Sequence, residues 1–104
     1  MKKPRLCMFR PLGGKEEHLG LRCRLPGWFG PVVVIRDKIG YVACDEATGR
    51  GLGGALIAFE TPGSPRQALR TAAIYVRRYR ARYGAEWVRG AWEEMVRRRK
   101  ETAS

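Results

Sequence analysis

The chain has 104 residues, of which 44% are hydrophobic and 10% aromatic, and this composition excludes a wholly disordered protein. The length predicts one domain over residues 1–104, with a single core that needs neither a metal nor disulfides. The 21 lysines and arginines outnumber the 10 aspartates and glutamates, and the resulting net charge of +11 predicts a polyanionic partner: nucleic acid, an anionic membrane or an acidic protein surface.

The three cysteines, Cys7, Cys23 and Cys44, are an odd number at wide spacings, and they form no Cys-x-x-Cys pair that would predict a zinc site. Arg10 interrupts the short apolar run near the N-terminus, so this run does not resemble a signal peptide. No apolar run approaches the roughly 18 residues that a membrane span needs. We therefore expect a cytoplasmic protein whose thiols stay reduced.

The first 60 residues predict about five short antiparallel strands. Apolar or alternating segments are separated by turns rich in glycine, proline and charged residues. One of these turns, Asp37–Gly40, is typical of a type I turn with glycine at its last position, and it should join the third and fourth strands into a hairpin. The predicted strands are Arg5–Arg10, Leu19–Leu25, Val32–Ile35, Tyr41–Cys44 and Ala55–Glu60.

The second predicted strand alternates between apolar and basic side chains, which is the pattern of a strand with one buried face. Its outward face contains Arg22 and Arg24, and these two residues are candidates for contact with a polyanion. Its inward face, which we expect to be buried, consists of Leu19, Leu21, Cys23 and Leu25.

Two large aromatic residues, Trp28 and Phe29, stand in a turn between glycines and prolines. At the tip of a turn they could stack on exposed bases or enter a pocket of a partner. Alternatively, the turn folds back and one ring covers the end of the core. The sequence leaves both interpretations open.

Gly49, Gly51 and Gly54 match the spacing G-x-G-x-x-G of dinucleotide-binding loops. That fingerprint requires a helix after the glycines, and here a predicted strand follows instead. We therefore expect a hairpin connection, although a loop that binds phosphate remains an alternative.

The segment Ser64–Tyr83 predicts a helix, because its start, its end and its apolar period all agree. Ser64 is a preferred N-cap residue, Pro65 suits the first helical position, and Gln67 completes a capping box. Gly84 can adopt the left-handed conformation that ends a helix. An apolar face that should pack on the domain is formed by Leu69, Ala72, Val76, Tyr79 and Tyr83.

The same helix contains six arginines and no acidic residue. At 100° per residue the arginines form two stripes outside the apolar face, with Arg80 at its rim. Tyr75 and Tyr79, at the edge of that face, either pack with their hydroxyls at the rim or stack on bases. The arginines in the two stripes are Arg66, Arg70 and Arg77, and Arg78 and Arg82.

A second helix is predicted from about Ala85 to Arg99, followed by a frayed tail over residues 101–104. Its apolar arc should pack against the first helix and the sheet, and i,i+4 pairs of glutamate and arginine, such as Glu93 with Arg97, should stabilise it. The basic run Arg97–Lys100 suits the negative end of the helix dipole, or it contacts phosphates.

These elements predict an α+β domain, in which an antiparallel sheet of about five strands is covered on one face by two helices. We expect no enzyme, no cofactor and no metal site. His18 is the one histidine and lies in a polar segment, and the adjacent carboxylates Asp45 and Glu46 should point in different directions at a strand end.

The first functional hypothesis is a small basic protein that binds DNA or RNA through its arginine-rich helix, with Trp28, Phe29 and Tyr75 as possible stacking groups. The alternative is an inhibitor or adaptor of the kind that phages and mobile elements encode, for example an anti-CRISPR-like protein. Such a protein would bind an acidic surface of a host complex that handles nucleic acid. Attachment to a membrane surface is disfavoured, because the apolar face of the helix is needed for the core.

Overall fold

The computed structural model of the chain describes residues 5–11, 14, 16–37, 40–53 and 63–103. In these residues an antiparallel sheet is followed by two helices, as predicted for an α+β fold. Four strands lie in the described part, and the predicted fifth strand, Ala55–Glu60, lies outside it. The elements are β1 (Arg5–Phe9), β2 (His18–Cys23), β3 (Val32–Asp37), β4 (Gly40–Asp45), α1 (Pro65–Tyr83) and α2 (Ala85–Ala103).

Each strand pairs with the next one along the chain, in the order β1-β2-β3-β4. The predicted hairpin of β3 and β4 is confirmed by continuous pairing from Val32 opposite Asp45 to Asp37 opposite Gly40. The two residues at its tip, 38 and 39, lie outside the described residues. After β4 the chain turns back, and Leu52 donates its amide to the carbonyl of Ala43 at 2.7 Å.

Strand β2 separates from β3 at Gly20, and we call this separation the bend of β2. It pairs with β1 along its length, but it pairs with β3 only from Leu21 to Cys23. Gly20 is buried, and a Cβ at this position would overlap the side chain of Val33 and lie 3.0 Å from Ile35. Glycine allows this close approach, and Phe9 of β1 packs with the same two residues on the face of the sheet that faces away from the helices.

This bend corrects one expectation from the sequence. Leu19 was predicted on the buried side of β2, but its side chain is 61% exposed. Leu21, on the same side of the strand, does pack against the core. Leu21 lies opposite Val34 of β3, whereas Leu19 lies in the part of β2 that pairs with β1 alone.

The core lies on both faces of the sheet. The larger cluster lies between the sheet and α1 and includes Val32, Val34, Ala72 and Val76. The smaller cluster lies on the opposite face and consists of Phe9, Val33, Ile35 and Cys44. Cys7, Cys23 and Cys44 form no disulfide with one another, as expected from the sequence.

Helix α1 has the predicted ends. The hydroxyl of Ser64 accepts a hydrogen bond from the amide of Gln67 at 3.2 Å, and the side chain of Gln67 accepts one from the amide of Gly63 at 2.7 Å. Gly84 has φ 86° and donates its amide to the carbonyl of Arg80 at 2.8 Å. These bonds satisfy backbone groups that have no partner inside the helix.

The predicted apolar face of α1 packs on the sheet. Its buried residues are Ala68, Ala72 and Val76. Leu69, which was predicted on this face, is only partly buried, and its neighbour Ala68 is buried instead. Tyr83 was expected on the same face, but it is 46% exposed. It lies in the last turn, beyond the part of α1 that the sheet covers.

Helix α2 begins directly after Gly84 and continues to Ala103, beyond the predicted end at Arg99. Arg97 explains the extension, because it bonds Glu101 at 2.7 Å and Glu94 at 2.5 Å. The predicted partner of Arg97 was Glu93, so that expectation is corrected.

Most of α2 is exposed, and Val88 is its one buried side chain among the described residues. Long side chains attach the helix to the end of β4. Trp92 donates to Asp45, and Arg99 donates to the carbonyl of Glu46 at 3.4 Å. Arg99 also donates to the carbonyl of Arg10 at 2.8 Å.

The bend in β2 gives a first testable prediction. Gly20→Ala should destabilise the protein by about 1–3 kcal/mol, because the added methyl group overpacks the smaller core. Gly90→Ala is the matched control, since nothing lies within 4 Å of a Cβ there. In an exposed helix interior this change should stabilise by about 0.5–1 kcal/mol. Urea denaturation measures both, and equal midpoints for the two variants would contradict the bend.

Candidate functional site

Five of the predicted binding residues lie exposed along α1. None of the five forms an ion pair with a carboxylate of the described residues, and α1 itself contains no acidic residue. Their guanidinium groups therefore keep their charge and their hydrogen-bond donors for a ligand. The five are Arg66, Arg70, Arg77, Arg78 and Arg82.

Arg77, in the stripe that also contains Arg66 and Arg70, lies beside the loop between β2 and β3. Arg80, next to this stripe, donates to the carbonyl of Gly27 at 3.1 Å and so fixes the loop against α1. An open groove of about 500 Å³ lies between them, and Pro26, Arg77 and Arg80 contribute to its walls. This side of α1 is therefore a basic, concave surface.

The structure does not bring Arg22 to this surface. Leu21 and Cys23 pack against the core under α1, so the side chain between them points to the other face of β2. There Arg22 forms a bidentate salt bridge with Glu46, with Nε 2.6 Å from Oε2 and Nη2 2.8 Å from Oε1. Arg24 is exposed and forms no ion pair with a described carboxylate.

The second stripe, Arg78 and Arg82, borders a row of aromatic rings that we call the aromatic ladder. Its neighbouring rings lie 5.6, 5.3 and 4.6 Å apart between centroids. The guanidinium of Arg82 lies 5.4 Å from the centre of the Tyr83 ring, in cation-π distance. The ladder consists of Tyr75, Tyr79, Tyr83 and Trp87.

The ladder runs from the interior to the surface. Tyr75, at its inner end, packs against the core, and burial raises the pKa of its phenol. Trp87, at its outer end, is 55% exposed. The ladder thus presents aromatic surface to solvent at the corner where α1 meets α2.

A second aromatic group forms where the Trp28-Phe29 turn meets α2. The turn folds back, as one of the two interpretations of the sequence proposed, and Trp28 packs against the core. The ring of Phe29 lies 4.8 Å from that of Trp28 and 5.5 Å from that of Trp92. Both residues of the turn are half-buried, so little of either ring remains for a ligand.

Both tryptophans of this group bond to one buried carboxylate. Asp45 is 1% exposed and accepts hydrogen bonds from the indole nitrogens of Trp28 at 2.9 Å and Trp92 at 2.8 Å. It also accepts from the amide of Thr48 at 3.0 Å and from its hydroxyl at 2.6 Å. Asp45 therefore joins the sheet, the turn and α2, and its neighbour Glu46 points elsewhere, to Arg22.

Sequence reasoning missed this arrangement. It identified Asp45 and Glu46 only as adjacent carboxylates, and a signal was present in the turn residues that follow. An aspartate at a strand end with a threonine three residues later is the pattern of a side chain that caps its own turn. The tryptophan partners, 17 residues before and 47 residues after Asp45, give no local signal.

A small cavity lies between the aromatic ladder and the second aromatic group, which consists of Trp28, Phe29 and Trp92. Its volume is about 30 Å³, which is close to the space of one water molecule. Asp45, Tyr75, Tyr79 and Trp92 line it, together with Arg50 and Met95. A nucleotide base cannot enter such a cavity, so a nucleic acid can meet these rings only at the surface.

The glycine loop after β4 uses its amides internally. Besides the amide of Thr48, that of Gly49 donates to the carbonyl of Asp45 at 2.7 Å, and that of Arg50 donates to the hydroxyl of Thr48 at 3.2 Å. Loops that cradle phosphate need amides that point outward without a partner. The described part of the loop thus fits the hairpin connection better than the phosphate loop.

Two features are absent from the described part of the chain. No group of three or more histidine, cysteine, aspartate or glutamate side chains lies close enough to hold a metal ion. Neither α1 nor α2 combines the length and the apolar character that crossing a membrane requires.

Comparison with known proteins finds no matching family model, no matching curated protein and no matching solved structure. A functional hypothesis for this chain therefore rests on the chemistry of its own side chains.

Proposed function

We propose that this protein binds nucleic acid and is not an enzyme, and that the arginines of α1 contact the phosphates. The observation that carries the proposal is the set of five exposed arginines without an ion pair to a described carboxylate. A guanidinium matches the geometry of a phosphate with two parallel hydrogen bonds. A row of such groups neutralises several phosphates at once and releases their counterions.

The distribution of acidic residues strengthens the proposal. On α2, Glu94 bonds both Arg97 and Arg98, and the two arginines hold the pKa of this carboxyl below its usual value. Arg22 is likewise paired with Glu46. Helix α1 thus contains arginines without an ion pair to a described carboxylate and no acidic residue of its own, whereas part of the positive charge on α2 and β2 is neutralised by such pairs.

The length of the basic surface suits a nucleic-acid backbone. Arg66 and Arg77 are eleven residues apart in one helix, which corresponds to about 16 Å at roughly 1.5 Å per residue. Phosphates of one strand follow each other at about 3.4 Å along the axis of a duplex. One face of α1 can thus span several phosphates.

The alternative function, an inhibitor or adaptor that binds an acidic protein surface, is favoured by a separate observation. Leu6, Met8 and Leu19 are 67%, 59% and 61% exposed, and Met8 lies directly opposite Leu19 in the β1–β2 pair. We call these three residues the hairpin patch. Contiguous exposed apolar side chains are typical of protein interfaces, and phosphate binding does not need them.

Substitution of four arginines tests the proposal. Changing Arg70, Arg77, Arg78 and Arg82 together to glutamine should make the slope of log affinity against log salt shallower by about 0.9 for each duplex phosphate that is no longer neutralised. The weakening should be the same for different base sequences, because phosphate contacts carry no sequence information. Titration of labelled DNA and RNA at several salt concentrations measures it.

A control matched in charge separates this effect from a general reduction of positive charge. Arg77 and Arg78 on α1 are compared with Arg97 and Arg98 on α2, each pair changed to glutamine. Only the α1 pair should change the slope strongly. A parent protein that binds neither DNA nor RNA more tightly than about 10⁻⁴ M would contradict nucleic-acid binding and leave the inhibitor or adaptor as the better proposal.

A further inference from the structure

The corner between α1 and α2 presents two stacked rings to solvent. Tyr83 is the last residue of α1, and Trp87 lies in the first turn of α2. Their ring centroids are 4.6 Å apart and their planes differ by 23°, the most nearly parallel aromatic pair among the described residues. The two residues are 46% and 55% exposed.

The packing of the domain does not explain this exposure. Tyr75, at the inner end of the ladder, packs against the core, whereas the ring of Trp87 lies 4.6 Å from that of Tyr83 and 6.3 Å from that of Tyr79. At the corner itself, the carbonyl of Gly84 accepts from the amide of Val88 at 3.1 Å, and its amide donates to the carbonyl of Arg80 at 2.8 Å. A half-exposed indole stacked on a second ring is a surface that a flat ligand can cover.

Positive charge lies beside these rings on the α1 side. Arg82 lies against Tyr83, and Arg78 is exposed one turn earlier. Neither forms an ion pair with a described carboxylate. Glu86 is exposed in the first turn of α2, so phosphates are expected on the side of α1.

We infer that Tyr83 and Trp87 form a stacking platform for an unpaired base of single-stranded nucleic acid, with Arg78 and Arg82 on the neighbouring phosphates. The inference rests on the proposed nucleic-acid binding and specifies its substrate. Proteins that bind single strands combine a basic track with aromatic rings on which bases stack. A duplex keeps the faces of its bases inside the stack, so it can use the arginines but not the platform.

Substitution of Trp87 tests the platform. The probes are a labelled 12-nucleotide single strand and a duplex of the same length and sequence. Trp87→Ala should weaken single-strand binding about 5- to 150-fold, the equivalent of roughly 1–3 kcal/mol for one stacked base, and should leave duplex binding unchanged. Trp87→Phe keeps an aromatic face and should restore most of the affinity. Because Trp87 is exposed, the thermal midpoint of both variants should stay close to that of the parent.

Each other outcome has a distinct meaning. If Trp87→Ala leaves single-strand binding unchanged, or weakens single-strand and duplex binding equally, the platform is wrong while phosphate binding by α1 stands. If the parent protein binds neither probe, both the proposed function and the platform are wrong. If it binds vesicles of anionic lipid through Trp87 and binds neither nucleic acid, the corner is a membrane contact instead.

Discussion

Asp45→Ala should lower the free energy of unfolding by about 3–5 kcal/mol. The carboxylate accepts four hydrogen bonds, and its removal leaves two indole N–H groups, an amide and a hydroxyl without their acceptor. Each buried donor without a partner costs about 1–3 kcal/mol. Water that enters the adjacent cavity should relieve part of this cost, so the total stays below the sum.

Two controls make this expectation specific. Asp45→Asn keeps one acceptor oxygen but turns an NH₂ group toward a donor, and it should cost about half as much. Glu46→Ala, at the next residue, removes only an exposed salt bridge to Arg22 and should cost less than about 1 kcal/mol. Urea denaturation measures the three variants. Equal stability of Asp45→Ala and Glu46→Ala would show that the buried carboxylate does not hold the turn and α2 together.

Val76→Asp should have a similarly large effect and unfold much of the population at room temperature. Val76 is 2% exposed in the larger core cluster, where an unpaired carboxylate costs several kcal/mol. A domain of ordinary stability has only about 5–15 kcal/mol to lose. Disappearance of the cooperative thermal transition, followed by circular dichroism, is the expected result.

The next residue along the helix is the control. Arg77 is exposed and forms no ion pair with a described carboxylate, so Arg77→Ala should change stability by less than about 0.5 kcal/mol. If Arg77→Ala unfolds the protein while Val76→Asp does not, α1 packs on the sheet through its other face.

Helix α1 could be predicted from the sequence because its signals are local. Ser64, Gln67 and Gly84 determine its two ends through bonds within a few residues, and the period of the apolar residues determines its buried face. The arginines outside that face were predicted to be exposed for the same reason. Such features depend on backbone geometry that is alike in all helices.

The bend of β2 and the bonds of Asp45 could not be predicted in this way. Alternation predicts on which side of a strand each residue lies. Whether that side is covered depends on how the neighbouring strands pack, as the close approach of Gly20 to Val33 shows. The bonds of Asp45 join Trp28 and Trp92, which are 64 residues apart in the chain. The residues around each tryptophan in the sequence do not indicate that its indole bonds to Asp45.

The hairpin patch gives the large net charge a role besides ligand binding. Among the described residues β1 pairs only with β2, so its other edge has no strand partner in this part of the chain. Edges of this kind join copies of a protein into aggregates unless something keeps the copies apart. With a net charge of +11, mutual repulsion keeps the copies apart near 0.1 M salt, where the Debye length is about 10 Å. Near 1 M salt the Debye length falls to about 3 Å and the repulsion is screened. The protein should therefore become more prone to aggregation as the salt concentration increases, whereas proteins that salt dissolves show the opposite dependence.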